Sequence, residues 1–395
     1  MSEKIALFSP FFYPEIISTG KYNTYLVMAL QRLGYSIDVV ASYPLYPDWK
    51  PRKTSSSLEN VNIFRGGLFP YPKAMVLRRF QLELGFMFHC IRYMLSKNRG
   101  DGDIIIPVFP PMLFFLAIFA LLPTKANKIG IVHDVQGIMA NVANSLMKSG
   151  LLAFIRYFEK KVFHKCDKLI FVSKSMAEKA ITDYDLKPDK VVACYPFVNI
   201  DKSILTDDLA PLFPAEKKHI VYSGALGEKQ NPFELLKLFQ SFVQTRDDTI
   251  CHIFSRGPLV DELKEINHVN TDRIRFHDLV PEKNLYELYL RSDIQIIPQK
   301  PGTSEGSIPS KLPNILASGV PTFLIGDSHS DLANLVKKSG IGYCAETWQS
   351  DILVTQLNAF LESSQQHNHN VRQNMVSDFV KDNFGIDQLI KMIVP

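Results

Sequence analysis

The residues of this chain best suited to chemistry gather in four short stretches. Residues 299–321 read QKPGTSEGSIPSKLPNILASGVP. They follow Asp293 to Ile297 (DIQII), an apolar run that predicts a short buried parallel strand. Ser310 can cap a helix running to Ser318, Pro313 falls in its first turn, and Gly319 with Pro321 ends it. A strand, a polar loop and a helix N-terminus in that order offer free N–H groups and positive dipole, which suit a phosphate. Lys300 and Lys311 bracket the loop and Glu305 sits in its middle. An ordinary βα loop with surface lysines fits the same letters.

The other three stretches follow a similar logic. Gly224 to Asn231 (GALGEKQN) is a Gly-containing turn after a strand at His219 to Ser223, with Lys229 in it. Backbone N–H groups at such a first βα turn can hold a pyrophosphate. Pro10 to Gly20 (PFFYPEIISTG) links the first strand to a helix beginning near Lys21. It can admit an anion or a sugar hydroxyl, or be a plain turn. His133-Asp134 closes a strand at Lys128 to His133, which places His133 on the ligand side of an open α/β sheet; a structural polar role is the alternative. Neither GxGxxG nor GxxxxGK[ST] occurs, which disfavours dinucleotide and P-loop readings.

These stretches need strands and helices to position them, and the chain alternates the two throughout. Strands are expected at Lys4 to Ser9, Tyr35 to Ala41, just after Ile104, at Lys128 to His133, Lys168 to Val172 and Val191 to Ala193. Helices are expected at Lys21 to Leu33, Met75 to Lys97, Phe154 to His164, and Lys174 to Asp183 capped by Ser173. Residues 42–60 read as a long loop containing YPLYPDW. Asn199 to Lys218 lacks apolar periodicity and reads as a linker. The pattern then restarts, with strands at His219 to Ser223, Thr249 to Phe254, Arg273 to Phe276, Asp293 to Ile297, Thr322 to Ile325 and Gly340 to Cys344. The fold class is therefore α/β, with two doubly wound domains at 1–200 and 212–380. A final segment, 381–395, carries a helix at about Ile386 to Ile393 that crosses back to the first domain.

Composition bounds the function. The chain has 395 residues, 46% hydrophobic and 21% charged, as in a globular two-domain protein. A net charge of +4 is too small to argue for nucleic acid. The five cysteines are scattered without metal-ligand spacing, and MSEKIALF enters a strand with no signal peptide, so a reduced cytosolic setting is expected. Ile104 to Pro123 holds 20 uncharged residues, but Pro107, Pro110 and Pro111 divide it into a strand and a core helix rather than a membrane span. Lys73, Arg78 and Arg79 stand among Met75, Val76, Leu77 and Phe80, a mixture that suits either an anionic membrane surface or a solvated helix edge.

Taken together, SP..YPE…TGKY (Ser9 to Tyr22), YPLYPDW (Tyr43 to Trp49), His133-Asp134, YSGALGEKQ (Tyr222 to Gln230), Gln299-Lys300 and PSKLPNILASG (Pro309 to Gly319) resemble the GT-B glycosyltransferases. The resemblance is to the retaining glycosyltransferase family 4, specifically its colanic-acid and O-antigen branch with fucosyl- and acetamidofucosyl-transferases. It implies two Rossmann-like domains facing across a cleft. In the second, Gly224, Gly227 and Lys229 would hold the diphosphate of a UDP- or GDP-sugar, with Lys300, Ser310 and Lys311 as further contacts. Glu305 would lie near the donor sugar. In the first, Glu15, Gly20, Lys21 and Asp134 would line the acceptor side, with His133 close to the reacting sugar; His133 and Glu305 are the expected catalytic pair. The acceptor implied is a sugar on undecaprenyl diphosphate at the cytoplasmic face of the inner membrane, for O-antigen, capsule or exopolysaccharide synthesis. No metal or other cofactor is implied.

Three departures stand against the family pattern. Ala225 stands where many members have Arg, and Asn314 where many have a ribose-binding Glu. Glu305 lies nine residues before Asn314, one more than the usual spacing. A GT-B nucleotide-sugar epimerase or a non-catalytic nucleotide-binding protein remain alternatives at this point.

Overall fold

The computed structural model describes residues 4–15, 17–45, 48–67, 70–96, 103–111, 125–135, 146–268, 272–303 and 308–394. They form two compact units, residues 1–195 with 386–395 and residues 196–385, each built on one parallel sheet. The expected helix after Pro111 and the expected catalytic Glu305 lie outside the described residues.

In the first unit the strands are β1 (Lys4–Phe8), β2 (Ser36–Ser42), β3 (Val61–Gly66), β4 (Ile104–Phe109), β5 (Asn127–Val132), β6 (Lys168–Phe171) and β7 (Val191–Ala193). They lie in the order β3-β2-β1-β4-β5-β6-β7. The winding reverses between β1 and β4, where Ile5 pairs with Ile104. Helices α1 (Ser18–Arg32), α2 (Met75–Ser96), α3 (Leu146–Lys165) and α4 (Lys174–Tyr184) connect them. Phe8, Phe109, Phe163, Phe171 and Tyr184 fill the core, each ring contributing roughly 2 kcal/mol by burial.

The second unit repeats the winding with β8 (Lys218–Ser223), β9 (Thr249–Phe254), β10 (Ile274–His277), β11 (Ile294–Pro298), β12 (Thr322–Ile325) and β13 (Gly342–Ala345). Their order is β10-β9-β8-β11-β12-β13, so the reversal falls between β8 and β11. The helices are α5 (Pro232–Thr245), α6 (Pro258–Ile266), α7 (Leu285–Leu290), α8 (Leu312–Ala317), α9 (Asp331–Lys338), α10 (Ser350–Ser364) and α11 (His369–Phe384). The last helix, α12 (Ile386–Ile393), belongs to the first unit, where it packs on α1.

Four local features differ from the sequence reading. Strand β3 occupies a stretch that had no apolar run to mark it; it is a half-exposed sheet edge, tied by Asn62 Nδ2 to Asp38 Oδ1 at 2.9 Å. Helix α3 begins at Leu146, two turns before the expected Phe154. Helix α8 is one short helix with Lys311 at its N-cap, so Ser310 does not cap it. Asn199 to Lys218 is not a free linker. The Glu287 carboxylate accepts from Thr206 Oγ1 at 2.6 Å and from the Leu209 amide at 2.9 Å, and Asn284 Nδ2 donates to Thr206 and Asp208. Polar contacts fasten this segment to the second unit, which is why apolar periodicity did not reveal it. The cap expected at Ser173 is present, its Oγ accepting from Met176 N at 3.1 Å.

Candidate active site

In an open parallel sheet a ligand crevice forms beyond the carboxyl ends of the strands where the winding reverses. In the second unit that place is the end of β8 and β11, and a cavity of about 330 Å³ lies there. Ser223 and Gly224 leave β8 into it, and Ile297, Pro298 and Gln299 leave β11. Pro309, Ser310 and Lys311 close one side. The opposite wall is apolar, from Phe254, Leu279, Val280, Leu285, Leu288 and Tyr289. A polar floor at strand ends with an apolar wall suits an anion joined to a flat ring.

The turn after β8 depends on glycine. Gly224 has φ +134°, a conformation that side chains rarely adopt, and its amide donates to Phe254 O at 3.0 Å. The Tyr222 hydroxyl donates to Ala225 O at 2.6 Å and so braces the turn from beneath. The Gly227 amide donates to Gln230 Oε1 at 3.0 Å. Both glycine amides are thus engaged within the protein, and the cations stand beside them. Lys229 and Lys300 are exposed, and Lys300 N donates to Lys229 O at 2.8 Å, which fixes these two positions next to each other.

Lys311 behaves differently from the other lysines. Its Nζ donates to Ser223 O at 3.1 Å and approaches Ile296 O at 3.5 Å, so it bridges the ends of β8 and β11. It also sits 4.2 Å from the centroid of the Tyr222 ring. Burial pushes its amine down to about 7. Asn314 is not in the cavity lining. It is buried in α8, with Oδ1 accepting from Asn199 N at 2.9 Å and Nδ2 donating to Asn199 Oδ1 at 2.6 Å. Gly224, Ser310 and Lys311 are therefore brought to one cavity, Lys229 and Lys300 flank it, and Asn314 is committed to the Asn199 segment. The apolar wall and the brace at Tyr222 were not singled out in the sequence; Tyr222 is the last aromatic of a strand, two residues before a glycine, which is the signal that could have found it.

In the first unit the expected residues collect around the start of α1. Helix α1 begins at Ser18, so Gly20 lies inside its first turn rather than ending the loop. A Cβ on Gly20 would stand 3.1 Å from Glu15 Cβ and 3.2 Å from Glu15 O, so glycine permits this close approach. Glu15 is buried and accepts from Leu45 N at 2.8 Å. Lys21 follows on α1, and its amide donates to Ile17 O at 3.0 Å. His133 leaves β5, donating its amide to Phe109 O at 2.9 Å, with Asp134 next to it. Its ring meets Tyr22 edge-on at 4.7 Å between centroids. His133 Nε2 is buried without a partner among the described residues, and burial pushes the imidazole down to about 4.

Comparison with known proteins decides the class. Residues 19–202 match the family Glycosyltransferase Family 4, and residues 206–377 match Glycosyl transferases group 1. The chain is a glycosyltransferase. It is similar to the Escherichia coli (strain K12) protein WcaI, whose name describes a glycosyl transferase of colanic acid biosynthesis, at 26% identity over 89% of this chain and 90% of that protein. Among solved structures it is similar to sucrose-phosphate synthase from Thermosynechococcus elongatus, with TM-score 0.73, 14% identity and coverage of 99% and 98% of the two chains. It is also similar to WaaG, a glycosyltransferase involved in lipopolysaccharide biosynthesis, with TM-score 0.69, 12% identity and coverage of 99% of each chain. This glycosyltransferase has the GT-B fold that the sequence predicts.

Proposed function

We propose that this glycosyltransferase moves a sugar of the fucose, N-acetylfucosamine or hexosamine type from a UDP- or GDP-sugar to a lipid-linked acceptor, with retention at the anomeric carbon. The observation that carries the reading is the cavity at the β8/β11 reversal, which joins an apolar wall to a polar floor with Lys311, while the exposed Lys229 and Lys300 adjoin its lining residues Gln230 and Gln299 in the chain. As the glycosidic bond breaks, negative charge gathers on the departing nucleoside diphosphate. Lys229 and Lys300 stand where they can neutralise it, and Lys311 holds the two strand ends that shape the floor. Charge supplied by lysines makes a metal unnecessary to this reading. His133, neutral at ordinary pH, would contribute a hydrogen bond near the reacting sugar rather than a cation, with Glu305 on the donor side.

The names of WcaI and WaaG support a place in surface polysaccharide synthesis. A position at the inner membrane face is supported by α2, where Leu77 and Phe80 are 61% and 55% exposed beside Lys73, Arg78 and Arg79. Among the described residues no helix is long and apolar enough to cross a membrane.

The test is calorimetry or thermal shift with UDP and GDP, using ADP and NAD as controls. Binding of UDP or GDP at micromolar level, abolished by Lys229→Ala, is the expected result. Binding of NAD with neither UDP nor GDP would overturn the donor assignment.

A further inference from the structure

Strand β3 ends the first sheet on one side, and a cavity of about 730 Å³ lies between it and the second half of α2. Residues 63–67 form the strand side. Gly85, His89, Arg92 and Ser96 recur at helical spacing, so they share the face of α2 that forms the other side, with Phe88 and Tyr93 beside them. None of these residues belongs to the sites described above.

Most of this wall is fixed by the protein itself. A Cβ on Gly66 would stand 2.4 Å from the His89 ring, so glycine there lets strand and helix close. His89 Nε2 donates to Phe64 O at 2.8 Å, since a carbonyl can only accept. The Tyr93 hydroxyl donates to Asp38 Oδ2 at 2.6 Å. Arg65 Nη1 donates to Ser42 O at 3.1 Å and Nη2 donates to Tyr13 O; these carbonyls orient the guanidinium and leave its charge in place. Glu15 acts on Arg65 from outside the lining. Arg92 differs from the rest: it is exposed, and among the described residues it makes no hydrogen bond or ion pair. Burial first, and then the Arg92 charge, lower the His89 ring, which stays neutral near pH 7. Among the described residues of the lining none is a carboxylate.

A glycine inside a helix weakens it, and only proline is worse. Close packing explains Gly66 but not Gly85, where an added Cβ would meet nothing within 4 Å. What Gly85 supplies is room. It leaves bare helix backbone at the cavity, beside a Phe88 ring that is 66% exposed. A flat carbon body fits against such a surface. Two guanidinium charges without a carboxylate in the described lining match the double charge of a phosphate monoester better than the single charge of a carboxylate.

We propose that this cavity binds a small soluble phosphate monoester that carries a flat ring, with the phosphate on Arg92 in the field of Arg65 and the ring between Phe88 and Gly85. This site stands apart from the donor reading above, because the two cavities share no residue and lie in different units.

The probe is phenyl phosphate, titrated against the whole chain by ligand-detected NMR. Phenol, benzoate, inorganic phosphate and phosphatidylglycerol vesicles are the comparisons. Saturable binding with Kd at or below about 1 mM is expected, with phenol, benzoate and inorganic phosphate each at least about tenfold weaker. Arg92→Gln should cost about tenfold, as loss of one charged hydrogen bond does. Gly85→Leu should abolish binding while Tm stays at or above that of the parent, because the new side chain enters open space and the helix gains a better former. Benzoate or inorganic phosphate binding as well as phenyl phosphate, or unchanged affinity in Gly85→Leu, would overturn the proposal. So would a parent chain that binds no phenyl phosphate at about 10 mM. If Gly85→Leu lowers Tm instead, Arg92→Gln decides, and unchanged affinity there counts against the site. Vesicles that bind the parent chain but not Gly85→Leu would assign the cavity to a lipid headgroup and refute the soluble ligand.

Discussion

Lys311 is the side chain whose surroundings say most about the chemistry. Its amine bridges Ser223 O and Ile296 O beside the cavity at the β8/β11 reversal, and burial holds it near 7. The folded value lies below the unfolded one, so the unfolded chain binds this proton first as pH falls from about 10. The associated stability is present above the unfolded value and is lost as pH falls toward about 7. A nucleoside diphosphate placed beside the amine acts in the opposite sense, because its charge favours the ammonium. Binding of UDP or GDP at about pH 8 is therefore expected to take up a fraction of a proton, and affinity to weaken as pH rises from about 7. Calorimetry in two buffers of different ionisation enthalpy reads the uptake directly. Lys311→Met should remove it; the same buffer dependence in that variant would show that another group is responsible. The sequence made Lys311 a phosphate clamp at a helix start. Its role as a strand-end bridge was invisible there, because it needs the β8–β11 adjacency that only the winding supplies.

At the scale of elements, three strands share a polar device on one face of the second sheet. His219 on β8, His252 on β9 and His277 on β10 lie on a diagonal across the register. His219 Nε2 meets Pro214 O at 3.0 Å, which assigns its proton there and leaves Nδ1 to accept from His252 Nε2 at 3.1 Å. By the same logic His277 Nε2 donates to His252 Nδ1 at 3.0 Å. Each link needs neutral rings, and Phe213 stacks on His252 at 4.6 Å to keep water away. Burial first, then the neighbouring cations, lowers these groups: His252 to about 2 and His277 to about 4. Arg275 opposes their protonation, while Asp293 and Glu216 favour it at His219. The unfolded chain takes these protons first, so stability is present above about pH 6.5 and is lost as pH falls toward about 4. Tm is expected to drop by about 5 °C between roughly pH 7.5 and 5, from about 2 kcal/mol lost. His252→Asn should flatten that slope; a variant with the parent's acid sensitivity would assign the effect elsewhere.

Element by element, legibility followed burial. Interior strands such as β4, with IIIPVF buried throughout, declare themselves by continuous apolar runs. The edge strand β3 has no such run because solvent replaces one neighbour, and α8 was overextended because its capping position falls on Lys311 rather than Ser310. The polar side of the cavity at the β8/β11 reversal was marked in the sequence by Gly224 in a glycine turn and by Lys311 at a helix start. Its apolar wall was not, since Leu279, Val280 and Leu285 reach the cavity from beyond β10 and carry no local pattern.

The whole molecule is two units that the chain leaves and re-enters, with α12 returning to the first after α11 ends the second. That helix buries Leu389, Ile390 and Ile393, and Lys168 Nζ donates to Met392 O at 2.9 Å to fasten its end. Three such side chains stabilise the first unit by on the order of 5 kcal/mol, comparable with the total stability of an ordinary domain. Removal of residues 386–395 should therefore unfold the first unit and spare the second. The two tryptophans report this separately, since Trp49 lies in one unit and Trp348 in the other, where its Nε1 donates to Gln299 O at 3.1 Å. In guanidinium titrations of the truncated chain, each tryptophan read alone after Phe replacement of the other, the Trp49 transition should fall to low denaturant while the Trp348 transition stays in place. A common shift of both signals would mean that the units unfold as one and that α12 supports both. An unchanged Trp49 transition would mean that the buried face of α1 holds without it.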